Sequence, residues 1–188
     1  MLNWLAANAS GSRSAVHVSL EELRRQYRPR QIKVLFVGES PPARGTFFYK
    51  GDSGLARYTK LAFRQAYNLP DLAMADFLHG FKAAGCYLDD LCVEPVNRMT
   101  MPDRRAVWKR DVDYLARRLE TDLPWIIVPI LRSIETSVRQ AAENARILDR
   151  VHGAIPYPSM GFHSRYIAEL SRLLVELREA SVLPQCFL

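Results

Sequence analysis

The chain is poor in the groups from which staples, clusters and anchors are built. Its three cysteines, Cys86, Cys92 and Cys186, include no Cys-x-x-Cys pair and leave an odd number. That pattern argues against a disulfide framework or a thiolate zinc site and points to reduced thiols. No apolar run approaches the roughly 20 residues that a helix needs to cross a bilayer. Residues 1–15 also lack the apolar core of a signal peptide, so no membrane partner is expected and the expected location is cytoplasmic. No Gly-x-x-x-x-Gly-Lys phosphate loop appears, which argues against a P-loop nucleotide enzyme. No internal repeat or low-complexity tract interrupts the chain. Neither a metal nor a cofactor is expected.

What remains is a chain of 188 residues, 48% hydrophobic and 24% charged, enough for one domain with a sizeable core and short for two. The expectation is a leader over residues 1–18, with a short apolar patch at Trp4 and Leu5, then a single domain over residues 19–188, monomeric. The net charge of +6 rests largely on arginine. Such an excess suits a polyanion, because basic side chains near phosphates release condensed counterions, although ordinary solubility also accounts for it.

Ser19 to Glu22 has the form of a capping box, opening a short helix that ends by Pro29. Residues 33–37 form a β-branched and aromatic run that stops at Gly38, as a buried parallel strand does on entering a sharp turn. Helical spacing follows over residues 55–66 and 72–84, a second strand over 86–92, and a charged amphipathic helix over 107–119. Residues 125–128 read as a third strand, 131–148 as helix, 151–155 as a short last strand and 163–180 as the final helix. Strands alternating with helices imply an α/β fold, a three-layer α/β/α sandwich around a central, mostly parallel four-stranded sheet. Glu39 and Ser40 after the first strand, Asp89 and Asp90 late in the second, and Tyr157 to Ser159 after the last then converge. They meet on the carboxyl edge, where open α/β sheets bind ligands. Beside Glu39, Arg44 and the aromatics Phe47, Phe48 and Tyr49 make a shelf better suited to a flat ring than to a bare phosphate.

Gly38-Glu39-Ser40-Pro41 followed by Gly45-x-x-Phe48 resembles the opening motifs of the uracil-DNA glycosylase superfamily, especially its thermophile-type branch. Residues 87–98, closing on Asn97 and Arg98, are similar to that branch's next motif segment, and residues 124–128 to the strand after it. Tyr157-Pro158-Ser159 stands at its His-Pro-Ser turn, so the likeness spans about residues 32–174 in order. It implies a monofunctional DNA glycosylase that flips a base out and hydrolyses its N-glycosidic bond without a metal. That branch typically holds an iron–sulfur cluster on four cysteines, which three cannot supply.

Under this resemblance Glu39 orients or activates the attacking water. A carboxylate suits the task because the bond breaks through an oxocarbenium-like state, although a glutamate after a strand can also merely cap a turn. Asp52 is a second acid in the same loop. Phe48 matches the aromatic that stacks on the extruded base, worth about 1–3 kcal/mol, while at least one of Phe47, Phe48 and Tyr49 belongs in the core. Ser40 is a lesser alternative to Asp52 and, being small, leaves room around the base. Asn97 is a further base-site candidate, and Arg44, Arg98, Ser159 and Arg165 are candidate DNA contacts, since arginines and hydroxyls beside a helix amino end suit phosphates. Met160 and Phe162 are either the wedge that fills the vacated stack or ordinary core.

Two departures from the family pattern shift the expected substrate. Asp90 stands where the family has a pyrimidine-reading asparagine, and a carboxylate only accepts hydrogen bonds. Cytosine presents an exocyclic amine donor, so Asp90 suits a cytosine-type base better than uracil; the plain alternative is that Asp90 only pairs with an arginine. Tyr157 replaces the family histidine, and a phenol can donate to the departing base without bringing positive charge. His163 is a further candidate for that role. Because excision of normal cytosine would destroy the host genome, a modified cytosine is the expected target. Repair and defence against foreign DNA carrying hypermodified bases both fit. Uracil excision and a catalytically silent nucleic-acid-binding relative stay open beside this reading.

Overall fold

The structure, a computed structural model, describes residues 20–159 and 161–187. The expected leader, Ser19 of the expected capping box and the candidate wedge Met160 lie outside the described residues. Residues 20–26 form a short helix, α1, ahead of the first strand. Strand β1 (Val34–Gly38) takes the centre of a three-stranded parallel sheet, flanked by β2 (Cys86–Asp90) and β3 (Ile126–Pro129). Helices α2 (Gly54–Tyr67) and α3 (Met74–Ala83) connect β1 to β2. The long α4 (Met101–Asp122) then carries the chain past β1 to β3, and α5 (Glu135–Asn144) and α6 (His163–Glu179) follow. All five β1 residues are buried, which is why that run is continuously apolar rather than alternating. α2 packs against α6 and α3, and α4 against α5.

The sheet has three strands rather than the expected four. The segment expected as the last strand bridges β3 only at Val151, paired with Ile127. His152 N–H donates to the Ile127 carbonyl at 2.9 Å and Ile155 N–H to the Pro129 carbonyl at 3.1 Å. The acceptors advance by two residues while the donors advance by three, so one extra residue near Gly153 breaks the regular ladder. The expected helix over 131–148 is shorter, split into a 3-10 turn at Arg132–Ile134 and α5. α4 begins six residues before the expected 107 and ends at Asp122, not 119. Its start is set by Thr100, whose side chain accepts from Asp103 N–H, and by Pro102 in the first turn.

Beyond Asp90 the chain leaves the strand but stays tied to β1. Leu91 N–H donates to the Gly38 carbonyl and Cys92 N–H to that of Glu39, both at 2.9 Å. The outer edge of β2 is closed by a side chain. The buried Tyr49 hydroxyl accepts from Leu88 N–H at 2.7 Å and donates to the Leu88 carbonyl at 3.0 Å, leaving that stretch of edge no invitation to another strand. Among the described residues no helix is long and apolar enough to cross a membrane.

Candidate active site

Glu39 follows β1 directly, and its carboxylate is held from one side of α4. Arg104 Nε donates to Oε1 at 2.8 Å, Arg104 Nη2 to Oε2 at 2.5 Å, and Trp108 Nε1 to Oε1 at 2.9 Å. Arg104 and Trp108 are one helical turn apart and so lie on the same face. The planar guanidinium grips both oxygens, which fixes the carboxylate's direction as a single bond would not. Glu39's hydrogen bond and charge raise the Arg104 pKa against the effect of burial. A carboxylate offers about four acceptor positions. The three described donors therefore leave one, on Oε2.

The same stripe of α4 continues to the end of β2. Asp111, fully buried, accepts from Val93 N–H at 3.1 Å and from Arg110 Nε at 2.7 Å. Two turns further on, Arg118 donates to Asp89 Oδ2 and, at 2.8 Å, to the Asp90 carbonyl. Positions 104, 108, 111, 115 and 118 thus recur at the spacing of a buried helix face, with charged groups at sites where apolar ones are usual. They brace the carboxyl ends of β1 and β2 from one element.

Asp90 faces the opposite clamp, on α1. Arg24 donates from Nη2 to Asp90 Oδ2 and from Nη1 to Asp89 Oδ1, each at 2.6 Å. Asp89 also accepts from the Asp90 N–H at 2.8 Å. Arg24 is 8% exposed and both aspartates are 5% exposed, a buried cluster in which each charge depends on its partners. Burial raises the Asp90 pKa against the pull of Arg24. Burial likewise opposes the Arg24 charge, but Asp90 and Asp89 overcome it and raise the guanidinium pKa. The Arg24 guanidinium also lies over the Phe47 ring, 5.6 Å from its centroid.

Tyr157 lies within the electrostatic reach of two of these carboxylates. Burial, then the negative charges of Asp90 and Glu39, raise the pKa of its phenol, so it is a neutral donor throughout the physiological range. The residue keeps 38% of its surface in solvent, as a group at a site's mouth does. Cys92 is the fourth member, buried and pushed up to about 12 by burial, Asp111, Glu39 and Asp90. That makes it a neutral thiol rather than a nucleophile.

The other sequence candidates take different places. Phe48 is 3% exposed, with its ring 5.1 Å from Tyr49 and 5.3 Å from Phe81. All three consecutive aromatics are buried, and the Arg24 guanidinium that pairs with the aspartates lies over the ring of Phe47. Asp52 accepts from Phe47 N–H at 2.7 Å and so closes the loop carrying that ring. Ser40 Oγ accepts from Val96 N–H at 3.2 Å, joining the turn after β1 to the one after β2. His163 stacks on Tyr58 at 4.4 Å and opens α6. Ser159 forms the turn between Tyr157 and Phe162 through its backbone. Arg165 pairs with Glu169 one helical turn on, at 2.6 Å, while Arg44, Asn97, Arg98 and Phe162 are exposed. Among the described residues no His, Cys, Asp and Glu side chains gather as a metal site would require.

Sequence reasoning missed Arg24, Trp108 and Arg118, and it did not pair Arg104 with Glu39. The signal that could have found three of them is the α4 stripe itself, in which Arg104, Trp108, Asp111 and Arg118 keep core spacing. No protein-family model matches the chain, and comparison with curated proteins gives no match either. The arrangement can hold one carboxylate in a fixed direction, present a neutral phenol beside it, and read hydrogen-bond donors with a second carboxylate.

Proposed function

We propose that this chain is a DNA N-glycosylase that removes a modified cytosine, on the three-layer α/β/α plan of the uracil-DNA glycosylase superfamily. The observation that carries the reading is the Glu39 carboxylate held in a fixed direction one residue past Gly38, which pairs in register with Asp90, with Tyr157 within reach of both charges. In the reaction, water oxygen forms a bond to C1′ as the C1′–N bond breaks and the base leaves with the bonding electrons. The water gives one proton to Glu39, which returns it to solvent, and the departed base takes one proton from solvent. Glu39 receives the water through the remaining Oε2 position and stabilises the oxocarbenium-like sugar electrostatically. Tyr157 donates a hydrogen bond to the departing base. Asp90 accepts from the exocyclic amine, the donor that cytosine has and uracil lacks. The net charge of +6 and the exposed Arg44 and Arg98 favour a DNA partner.

The test is alkali-revealed strand cleavage of duplexes and single strands carrying uracil, a thymine mismatch, hydroxymethylcytosine or glucosylated hydroxymethylcytosine. Excision of a modified cytosine that Glu39→Gln abolishes is the expected outcome. Cleavage at uracil alone would refute the Asp90 role. A second reading, a silent nucleic-acid-binding relative, is favoured by the bidentate grip of Arg104 on Glu39, since a glutamate so engaged also serves as a strut. DNA binding with no abasic product from any of these substrates would select it.

A further inference from the structure

A site that reads a flat base needs an aromatic face, in-plane acceptors and surroundings free of bulk water. At the end of β2 all three exist, and one of the chain's own side chains uses them. The Arg24 guanidinium lies over Phe47 at 5.6 Å and gives one N–H to each aspartate at 2.6 Å, with the residue 8% exposed. A guanidinium is planar, cationic and carries its N–H donors in its own plane. A cytosine protonated at its ring nitrogen presents the same edge, an amine beside an N–H. Uracil does not, because its O4 would turn a lone pair towards the carboxylate.

We propose that Arg24 is the resident occupant of the base-reading position, and that the site exchanges it for a heterocycle with an amidine-type donor edge. This rests on the reading of Asp90 as the base reader. The fit of Arg24 is incomplete in a way that favours exchange. Its Nε is buried with no partner, a costly state that native interiors seldom keep, and among the described residues nothing donates to Asp90 Oδ1. A second acceptor stands ready for the displaced guanidinium. Glu21 lies one turn back on α1 with an oxygen 3.8 Å from Arg24 Nη1, and its side chain is 42% exposed. Once Arg24 leaves, Asp89 keeps its ion pair with Arg118 and the hydrogen bond from the Asp90 N–H. Asp90 keeps the Arg118 charge nearby but loses its only side-chain ion pair among the described residues. The vacated site therefore demands a donor-rich or cationic replacement, which sets its preference for a cytosine-type edge over uracil's.

The test uses the full chain and oligonucleotides carrying a non-hydrolysable 2′-fluoro nucleoside, either 5-hydroxymethylcytosine or uracil. In the wild type, the cytosine-type oligonucleotide should accelerate amide hydrogen exchange over residues 20–26, and the uracil one should not. Arg24→Ala should bind the cytosine-type oligonucleotide at least about tenfold more tightly than wild type, the factor by which a site open about a tenth of the time weakens binding. Methylguanidinium at millimolar concentration should remove that gain by refilling the site. Should Arg24→Ala fold poorly, Arg24→Gln, a shorter and uncharged donor, should give an intermediate gain. Equal affinity of wild type and variant, or unchanged exchange over residues 20–26, would overturn the proposal and make Arg24 a fixed strut. The glycosylase reading fails separately. Tighter binding by the variant with no abasic product from cleavable substrates keeps the exchange of Arg24 and rejects the chemistry.

Discussion

Gly38→Ala tests the packing at the end of β1 through the sign of its effect on stability. A Cβ there would lie 2.5 Å from Asp90 Oδ1, and 3.7 Å from both Asp90 Cγ and the Asp89 carbonyl oxygen. Gly38 is not among the glycines with positive φ, so its backbone suits alanine. Without a clash the substitution would stabilise the fold by about 0.4–1 kcal/mol by restricting the unfolded chain. With the clash, the Asp90 carboxylate must move by about 1 Å to reach ordinary contact, and Arg24 holds its other oxygen at 2.6 Å. A hydrogen bond between charged groups is worth about 1.5–3 kcal/mol, and breaking a buried pair outright costs about 3–5 kcal/mol. A net loss of about 2–3 kcal/mol is therefore expected, which for a chain of this size lowers Tm by roughly 4–12 °C. Urea denaturation of Gly38→Ala in the wild-type and Asp90→Ala backgrounds measures it. In the second background the oxygen is gone, and the cost should vanish or change sign. The same loss in both backgrounds would refute the reasoning.

Tyr49→Phe should cost about 2–4 kcal/mol in urea denaturation, because it strips both the Leu88 N–H and its carbonyl of their buried partner; an unchanged midpoint would count against the closed β2 edge. Trp108→Phe removes one of three donors to Glu39 and should slow excision about 10- to 100-fold by loosening the carboxylate's direction. Full turnover in that variant would remove Glu39 from the chemistry. Alkali should unfold the protein through its buried phenols. Burial raises Tyr49 well above its ordinary value and Tyr67 and Tyr87 to about 12, so their contribution is intact below the unfolded value of about 10. It is lost as pH climbs from there through about 12, and a fluorescence-monitored stability curve flat up to pH 12 would disprove this.

How far the sequence reveals this molecule depends on how local each signal is. The run from Val34 to Gly38 and the cap at Thr100 are decided by neighbours in the chain, so β1 reads nearly to the residue, and the start of α4 becomes clear once its cap is recognised. The missing fourth strand is a matter of register, because Val151 and Ile155 have strand composition but the extra residue near Gly153 shows only against the fixed spacing of β3. Asp90 and Glu39 stand out in the sequence because strand ends expose polar groups to ligands. What holds them does not stand out, since Arg104 lies 65 residues from Glu39 and Arg24 lies 66 from Asp90. A charged residue on an amphipathic helix is usually solvated, and nothing within a turn of Arg24 reveals two aspartates waiting for it. The candidate acids can thus be read from the chain, whereas the cations that decide whether those acids are free, fixed or occupied come only from the packing of α1 and α4 against the sheet. That division assigns the separate experiments, Glu39→Gln to the chemistry and Arg24→Ala to access.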